Sequence, residues 1–231
     1  MNLIQKCICG STNFFETTYK TVDFPLLACE DCGIIHQHLQ YTKEEYRNFY
    51  TRYHRDFQEH INRQPFQERY EHDYEISKIR YKTYKDVLKN KNTILDVGAS
   101  NGAFVDLMNR QSYDCEGIDI VNILNNKKIY TTDFLDIKKK YDCITMHDVF
   151  EHIPNIHDYM IHSKKILNPN GCLIIDVPDF FSKFGFHHWR KIEHIWYPNI
   201  YQLIEYFYSL DYEIMKLTFP VKGKNVFYLE L

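Results

Sequence analysis

Three groups of residues combine types and spacings that can do chemistry. The first is Ile94–Gly102, ILDVGASNG. A buried strand there runs into a loop carrying Gly98 and Gly102, and such a loop cradles a nucleotide-like group. A pyrophosphate cradle of the form G-x-G-x-x-G needs a middle glycine for close backbone approach, and Ser100 stands in its place. Asp96, ahead of the first glycine, suits a ligand with a positively charged group. The second group is Cys7, Cys9, Cys29 and Cys32, in KCICGS and CEDCG. Each pair ends in Cys-Gly, so the backbone can turn and aim amides at a metal-bound thiolate. Two such turns can build one tetrahedral zinc site in a segment too short for its own core. The first pair is C-x-C, with Lys6 where a C-x-x-C would begin. His36 and His38 are substitute ligands in reach, and a disulfide or free thiols are the alternatives. The third group is rich in histidine: HDVFEH at 147–152 and HHWRKIEH at 187–194. His147 and Glu151 are four apart, as are Asp148 and His152, so one helical turn can present metal ligands.

Acids further along narrow the ligand of the glycine loop. Asp119 ends a second strand about twenty residues after Gly98, where a carboxylate accepts ribose hydroxyls. In TTDF, Asp133 can accept an adenine amino group while Phe134 packs on the base. Asp96 can organise contacts to an amino-acid ammonium. A ligand with an ammonium, a ribose and an adenine but no pyrophosphate is S-adenosylmethionine.

The elements that must position these groups follow from periodicity and breakers. Thr42 and Glu45 have capping-box spacing, and the tyrosine-rich stretch to Asn90 predicts helices broken near Pro65. Tyr46, Tyr50 and Tyr53 share one helical face, as do Ile76, Ile79 and Thr83, which predicts packing faces rather than a base-stacking surface. From Thr93 onward strands and helices alternate. TILDV, DCEGIDI, KKIYTT, YDCITMHD and CLIIDV read as strands. Ala103–Arg110, Ile156–Leu167 and Ile200–Leu210 read as helices, the second stopped by NPNG. The end, YEIMKLTFPVKGKNVFYLEL, reads as a hairpin around Lys-Gly-Lys-Asn. Alternation of this kind predicts a parallel sheet wrapped by helices, with the ligand at the carboxyl ends of its strands.

The segments LDVGASNG, GIDI, TTDF, YDCITMHDVFEHIPN and ILNPNGCLIIDVPD resemble, in order and spacing, class I S-adenosylmethionine-dependent methyltransferases over residues 91–231. The resemblance implies an α/β, Rossmann-like seven-stranded sheet whose last strand is antiparallel. It assigns Asp96, Gly98 and Gly102 to the methionine part, Asp119 to the ribose, and Asp133 with Phe134 to the adenine. Met146 and His147 would flank the sulfonium. The cysteine pairs followed by YTKEEYRNFY resemble the zinc-binding, ribbon-like module ahead of sugar C-methyltransferases that act on nucleotide-linked deoxysugars. Those enzymes carry Tyr-His-Glu-His after the fifth strand. Here the stretch is KIEH: Glu193 and His194 match, while Lys191 and Ile192 depart. The expected layout is a zinc module over 1–41, a helical segment over 42–90 and the methyltransferase domain over 91–231.

Pro178–Pro198 is too long for a simple connection and is expected to bind the acceptor. His194 is the expected general base, with Glu193 as partner or alternative and Tyr197 as an orienting group. The expected acceptor is small, a sugar or nucleotide-linked sugar, methylated on carbon, oxygen or nitrogen. Methylation of tRNA or protein gripped by the zinc module is the second expectation, and a non-catalytic S-adenosylmethionine-binding or interaction module the third. A net charge of −3 argues against a strong grip on nucleic acid. The chain has 231 residues, 44% of them hydrophobic, enough for one α/β domain and a small module. No run approaches the roughly 18 apolar residues of a membrane span, and the start does not read as a secretion signal, so a cytoplasmic protein without a membrane partner is expected.

Overall fold

The computed structural model describes residues 2–3, 5–17, 25–56, 66–122, 124–190, 193–219 and 223–231. Its chain divides into two compact units. One comprises residues 43–146 and 165–173, the other residues 1–42, 147–164 and 174–231.

The first strands are short: β1 (Asn2–Leu3), β2 (Phe14–Thr17), β3 (Leu26–Cys29), β4 (Ile35–Gln37) and β5 (Leu39–Gln40). β1 pairs with β5. Helices α1 (Lys43–Asp56) and α2 (Phe66–Tyr84) follow. The helical break expected at Pro65 lies outside the described residues, as does the side chain of Tyr53. On α2, Ile79 is 44% exposed, and Ser77 and Tyr84, two turns apart, point inward instead. The face expected from Ile76, Ile79 and Thr83 is therefore displaced, because Tyr84 packs edge-on against Phe104 and sets the helix rotation.

The remaining elements are β6 (Thr93–Val97), α3 (Ala103–Arg110), β7 (Asp114–Asp119), β8 (Ile129–Thr131), β9 (Tyr141–His147), α4 (Ile156–Ile166), β10 (Leu167–Pro178), β11 (Trp196–Tyr197), α5 (Ile200–Ser209), β12 (Glu213–Thr218) and β13 (Lys224–Glu230). Seven of these strands form one mixed sheet in the order β12-β13-β10-β9-β6-β7-β8. β6 pairs in parallel with β7 and β9, and β7 with β8. The terminal pair β12–β13 is antiparallel, with a register shift between Ile214 and Lys216. This is the α/β, Rossmann-like arrangement the sequence predicts.

Central strands are buried on both faces. Gly171–Pro178 of β10 is buried throughout, as expected for a strand covered on both sides. β10 starts five residues before the predicted CLIIDV, and Asn168–Gly171 lies within it rather than in a turn. α3 buries Ala103, Phe104, Leu107 and Met108, a stripe at helical spacing. α5 begins with a reciprocal cap between Asn199 and Gln202.

β2, β3 and β4 form an antiparallel meander whose fourth strand comes from far along the chain. β11 pairs with β4, placing Trp196 opposite His36 and Tyr197 opposite Ile35.

Candidate active site

In the unit containing β6, the loop after that strand reverses its backbone by alternating residues with positive φ: Gly98 (74°), Ser100 (50°) and Gly102 (82°). A side chain at Gly102 would also collide, since a Cβ there would stand 2.6 Å from Asn126 Nδ2 and 2.9 Å from Ile129 Cδ1. Ser100 adopts the left-handed region without being glycine, a strain typical of ligand-holding loops. Its amide is held by Asp119, whose Oδ2 accepts from Ser100 N at 2.7 Å and Oδ1 from Val121 N at 3.1 Å. Burial pushes the Asp119 carboxyl up, and these amides pull it back. Asp96 is buried and accepts the Thr145 hydroxyl at 2.6 Å. Asp133 caps the short 3-10 turn Phe134–Asp136 through Leu135 N at 3.0 Å. Phe134 and Met146 are fully buried. Asn101 connects the loop to α2: its Nδ2 donates to Asp73 at 2.7 Å, and its Oδ1 accepts from Ala103 N at 3.1 Å. Thr145, Asn101 and Asp73 escaped sequence reasoning; only their proximity in the fold reveals them.

In the other unit, His147 ends β9 and Asp148 follows with φ 54°. Asp148 pairs with Lys224. The backbone then makes a 3-10 turn, Phe150–His152, rather than a full helical turn. Of the four residues singled out in HDVFEH, only Glu151 and His152 belong to a ligand-like cluster among the described residues. These two meet His194, their ligand atoms all within 4.8 Å of one another. Glu151 Oε1 lies 3.8 Å from His152 Nε2 and 4.0 Å from His194 Nε2. Each imidazole donates from Nδ1 to a backbone carbonyl, His152 to Glu193 O at 2.6 Å and His194 to His188 O at 2.5 Å. These bonds fix the tautomer and place the lone pair on Nε2. Burial pushes both imidazoles down, His194 strongly, and holds His188 at about 4. Glu193 turns its carboxylate to Arg190 at 3.1 Å, so Glu151 is the carboxylate beside His194. Lys191 and Ile192 lie outside the described residues. Tyr197 is fully buried, stacked on Trp189, with its hydroxyl 2.9 Å from His194 O and 3.1 Å from Arg190 O. It supports the segment that carries His194. Gln37 of β4 donates to the same His194 carbonyl.

The same unit gathers Cys7, Cys9, Cys29 and Cys32 within 4.8 Å of one another. Sγ–Sγ distances are 3.6 Å for Cys7–Cys32 and for Cys9–Cys29. A disulfide needs about 2.05 Å. Four thiolates on zinc, at about 2.3 Å each, stand roughly 3.8 Å apart. The donor set and spacing thus fit zinc. The hydrogen bond from Cys7 holds Cys32 at about 5, while that bond drives Cys7 up and burial raises Cys9 to about 11. His36 stays out of the cluster: it is buried between Phe14 and Trp196 with Nδ1 on Gln37 O at 2.9 Å, and burial holds it at about 4.

The sheet order and the strand-end acids define a class I methyltransferase fold. The chain belongs to the family described as a methyltransferase domain, whose model matches residues 66–215. Two curated proteins of Rickettsia bellii, strains OSU 85-389 and RML369-C, named ubiquinone biosynthesis O-methyltransferase, are each 28% identical over 117 residues. The match takes in 45% of this chain and 48% of theirs, so the chain spans about half the length of those relatives. Among solved structures, an S-adenosylmethionine-dependent methyltransferase from Clostridium acetobutylicum ATCC 824 superposes with TM-score 0.55 at 11% identity, over 80% of this chain and 99% of that one. The Burkholderia thailandensis 1,6-didemethyltoxoflavin-N1-methyltransferase superposes with TM-score 0.58 at 14% identity, over 93% and 98%. At such identities the likeness is one of fold. Among the described residues, no helix is long and apolar enough to cross a membrane.

Proposed function

We propose that this chain transfers the methyl group of S-adenosylmethionine to a small acceptor. The observation that carries the proposal is the set Asp96, near the end of β6, Asp119, at the end of β7, and Asp133, just beyond β8, around a loop of alternating positive φ, in a member of the methyltransferase-domain family. Asp96, Gly98 and Gly102 are assigned to the methionine part, Asp119 to the ribose, Asp133 and Phe134 to the adenine, and Met146 and His147 to the sulfonium. His194 is the side chain through which the acceptor's proton is withdrawn. Glu193 assists by holding Arg190 and, through its carbonyl, His152. The four cysteines are proposed to hold one structural zinc, within an N-terminal module of residues 1–41 ahead of a helical segment (42–90) and the methyltransferase domain (91–231).

The proposed acceptor is a sugar or nucleotide-linked sugar, supported by the aromatic and histidine-rich segment 178–198 and the cysteine pairs at the front of the chain. A ubiquinone-type acceptor is the second reading, supported by the names of the two Rickettsia relatives. Calorimetry with S-adenosylmethionine, its demethylated product and NAD tests the cofactor: the first two should bind and NAD should not. The reverse order ends the proposal. Transfer of labelled methyl to nucleotide sugars or to phenolic rings then separates the two acceptors.

A further inference from the structure

Glu151 is a buried carboxylate that no side chain among the described residues hydrogen-bonds. It is 0% exposed, and neither oxygen has a hydrogen bond among the described residues. An ionised carboxylate so placed is costly without a countercharge. The protonated form fares little better, because its O–H meets no acceptor either. Two imidazoles face it through Nε2 at 3.8 and 4.0 Å, beyond hydrogen-bond reach. We propose that Glu151, His152 and His194 bind a divalent first-row transition-metal ion.

Three features support this. Ligands about 2.1 Å from a shared ion stand roughly 3.0–3.4 Å apart at ordinary angles, so each imidazole nitrogen, at 3.8 and 4.0 Å, needs to close on the carboxylate by only about half an ångström. The Nδ1–H of each histidine is fixed by a backbone carbonyl, an arrangement that orients imidazoles for coordination through Nε2. The negative potential from Asp148 and Asp176 at Glu151 favours a cation there, opposed by that of Lys224. Two nitrogens and one oxygen select zinc, manganese, iron or cobalt over magnesium or calcium, which prefer oxygen. Three protein ligands leave a coordination position open.

This proposal rests on the methyl-transfer reading for its use. In the open position the ion would acidify an acceptor hydroxyl, so that His194 acts on that proton as a ligand of the ion rather than as a free base, and the proton would pass to water. The freed oxygen pair then forms the bond to the methyl carbon, and the carbon–sulfur pair returns to sulfur. The site is distinct from the four cysteines and is recognisable by its lack of sulfur.

Cobalt titration of the full, chelator-stripped chain tests it by binding alone, independently of turnover. Two classes of bound cobalt are expected: one with sulfur-to-metal charge-transfer absorption, one with only weak ligand-field bands. Glu151→Gln should weaken the second class by on the order of 100-fold, since losing a direct ligand costs at least as much as the 10–100-fold typical of losing a group that only orients one. It should leave the sulfur absorption unchanged, which reports an intact fold. His152→Ala should act likewise. Absence of sulfur-free cobalt, or unchanged affinity in Glu151→Gln, overturns the site. Failure of the methyl-transfer reading shows separately, as an absence of S-adenosylmethionine binding.

Discussion

The acids of the glycine-loop cradle and the acid of the histidine cluster are treated in opposite ways by the chain. Asp96, Asp119 and Asp133 each accept a hydroxyl or a backbone amide. Their oxygens are fixed before any ligand arrives. Glu151, equally sheltered, receives no hydrogen bond from any other residue among those described. The first arrangement preorganises groups that need only small changes on binding. The second leaves a polar deficit that a bound species must fill. The four thiols stand between the two kinds: Cys7–Cys32 and Cys9–Cys29 are hydrogen-bonded at 3.6 Å, and the same spacing fits a shared ion.

The largest expected effect is at those thiols. Cys29→Ser combined with Cys32→Ser should remove about one zinc per chain and melt the β2–β4 meander, because structural zinc contributes folding energy outright. Metal analysis and amide exchange at residues 26–37 read this. Full zinc retention would place the thiols with the self-satisfied groups instead. Next, His194→Ala should lower turnover by about 10²–10⁴-fold with nearly unchanged S-adenosylmethionine affinity. A variant with unaltered turnover, on a substrate whose chemical step limits the rate, assigns His194 to loop architecture. In the cradle, Asp119→Ala should weaken cofactor binding by on the order of 1.5–3 kcal/mol, measured by calorimetry. Unchanged affinity would refute the preorganised role.

The smallest effect concerns pH. Asp142 accepts from Asn92 N (2.8 Å), Thr93 N (3.0 Å) and Asn168 Nδ2 (2.8 Å). Burial pushes its carboxyl up, but these donors outweigh it and hold the group below its usual range. A depressed folded value means stability that is present above the unfolded pKa and lost as pH falls through the folded one. Asp142→Asn should therefore flatten the acid limb of a melting-temperature profile below about pH 4. An identical acid limb would show that the cradle unit gains nothing from satisfying this acid.

Local signals made much of this legible. Ala103–Arg110 forms as its periodicity predicts, and β6, β9 and the terminal hairpin fall where apolar runs place them. The glycine loop, with positive φ at Gly98, Ser100 and Gly102, likewise lies within nine consecutive residues. Glu151 and His194 are different: they lie 43 positions apart, on a 3-10 turn and an irregular segment, where no period marks a face. The i, i+4 spacing of HDVFEH pointed to pairs within one turn, whereas the cluster among the described residues takes its third member from His194. The short strands β3, β4 and β11 left too few residues for an alternation pattern.

The pairing of β4 with β11 has a consequence for biogenesis. Gln37 and His194, bonded to each other, are 157 positions apart. A ribosome delivers the cysteine-bearing meander early, but its fourth strand arrives only once residue 197 has been made. Until then β4 is an open edge, the kind of surface on which nascent chains associate wrongly. Closing so long a loop also slows the final step, because its entropy must be overcome before the ladder forms. Early capture of an ion by the thiols, which needs only the first 32 residues, would hold the meander together through that interval.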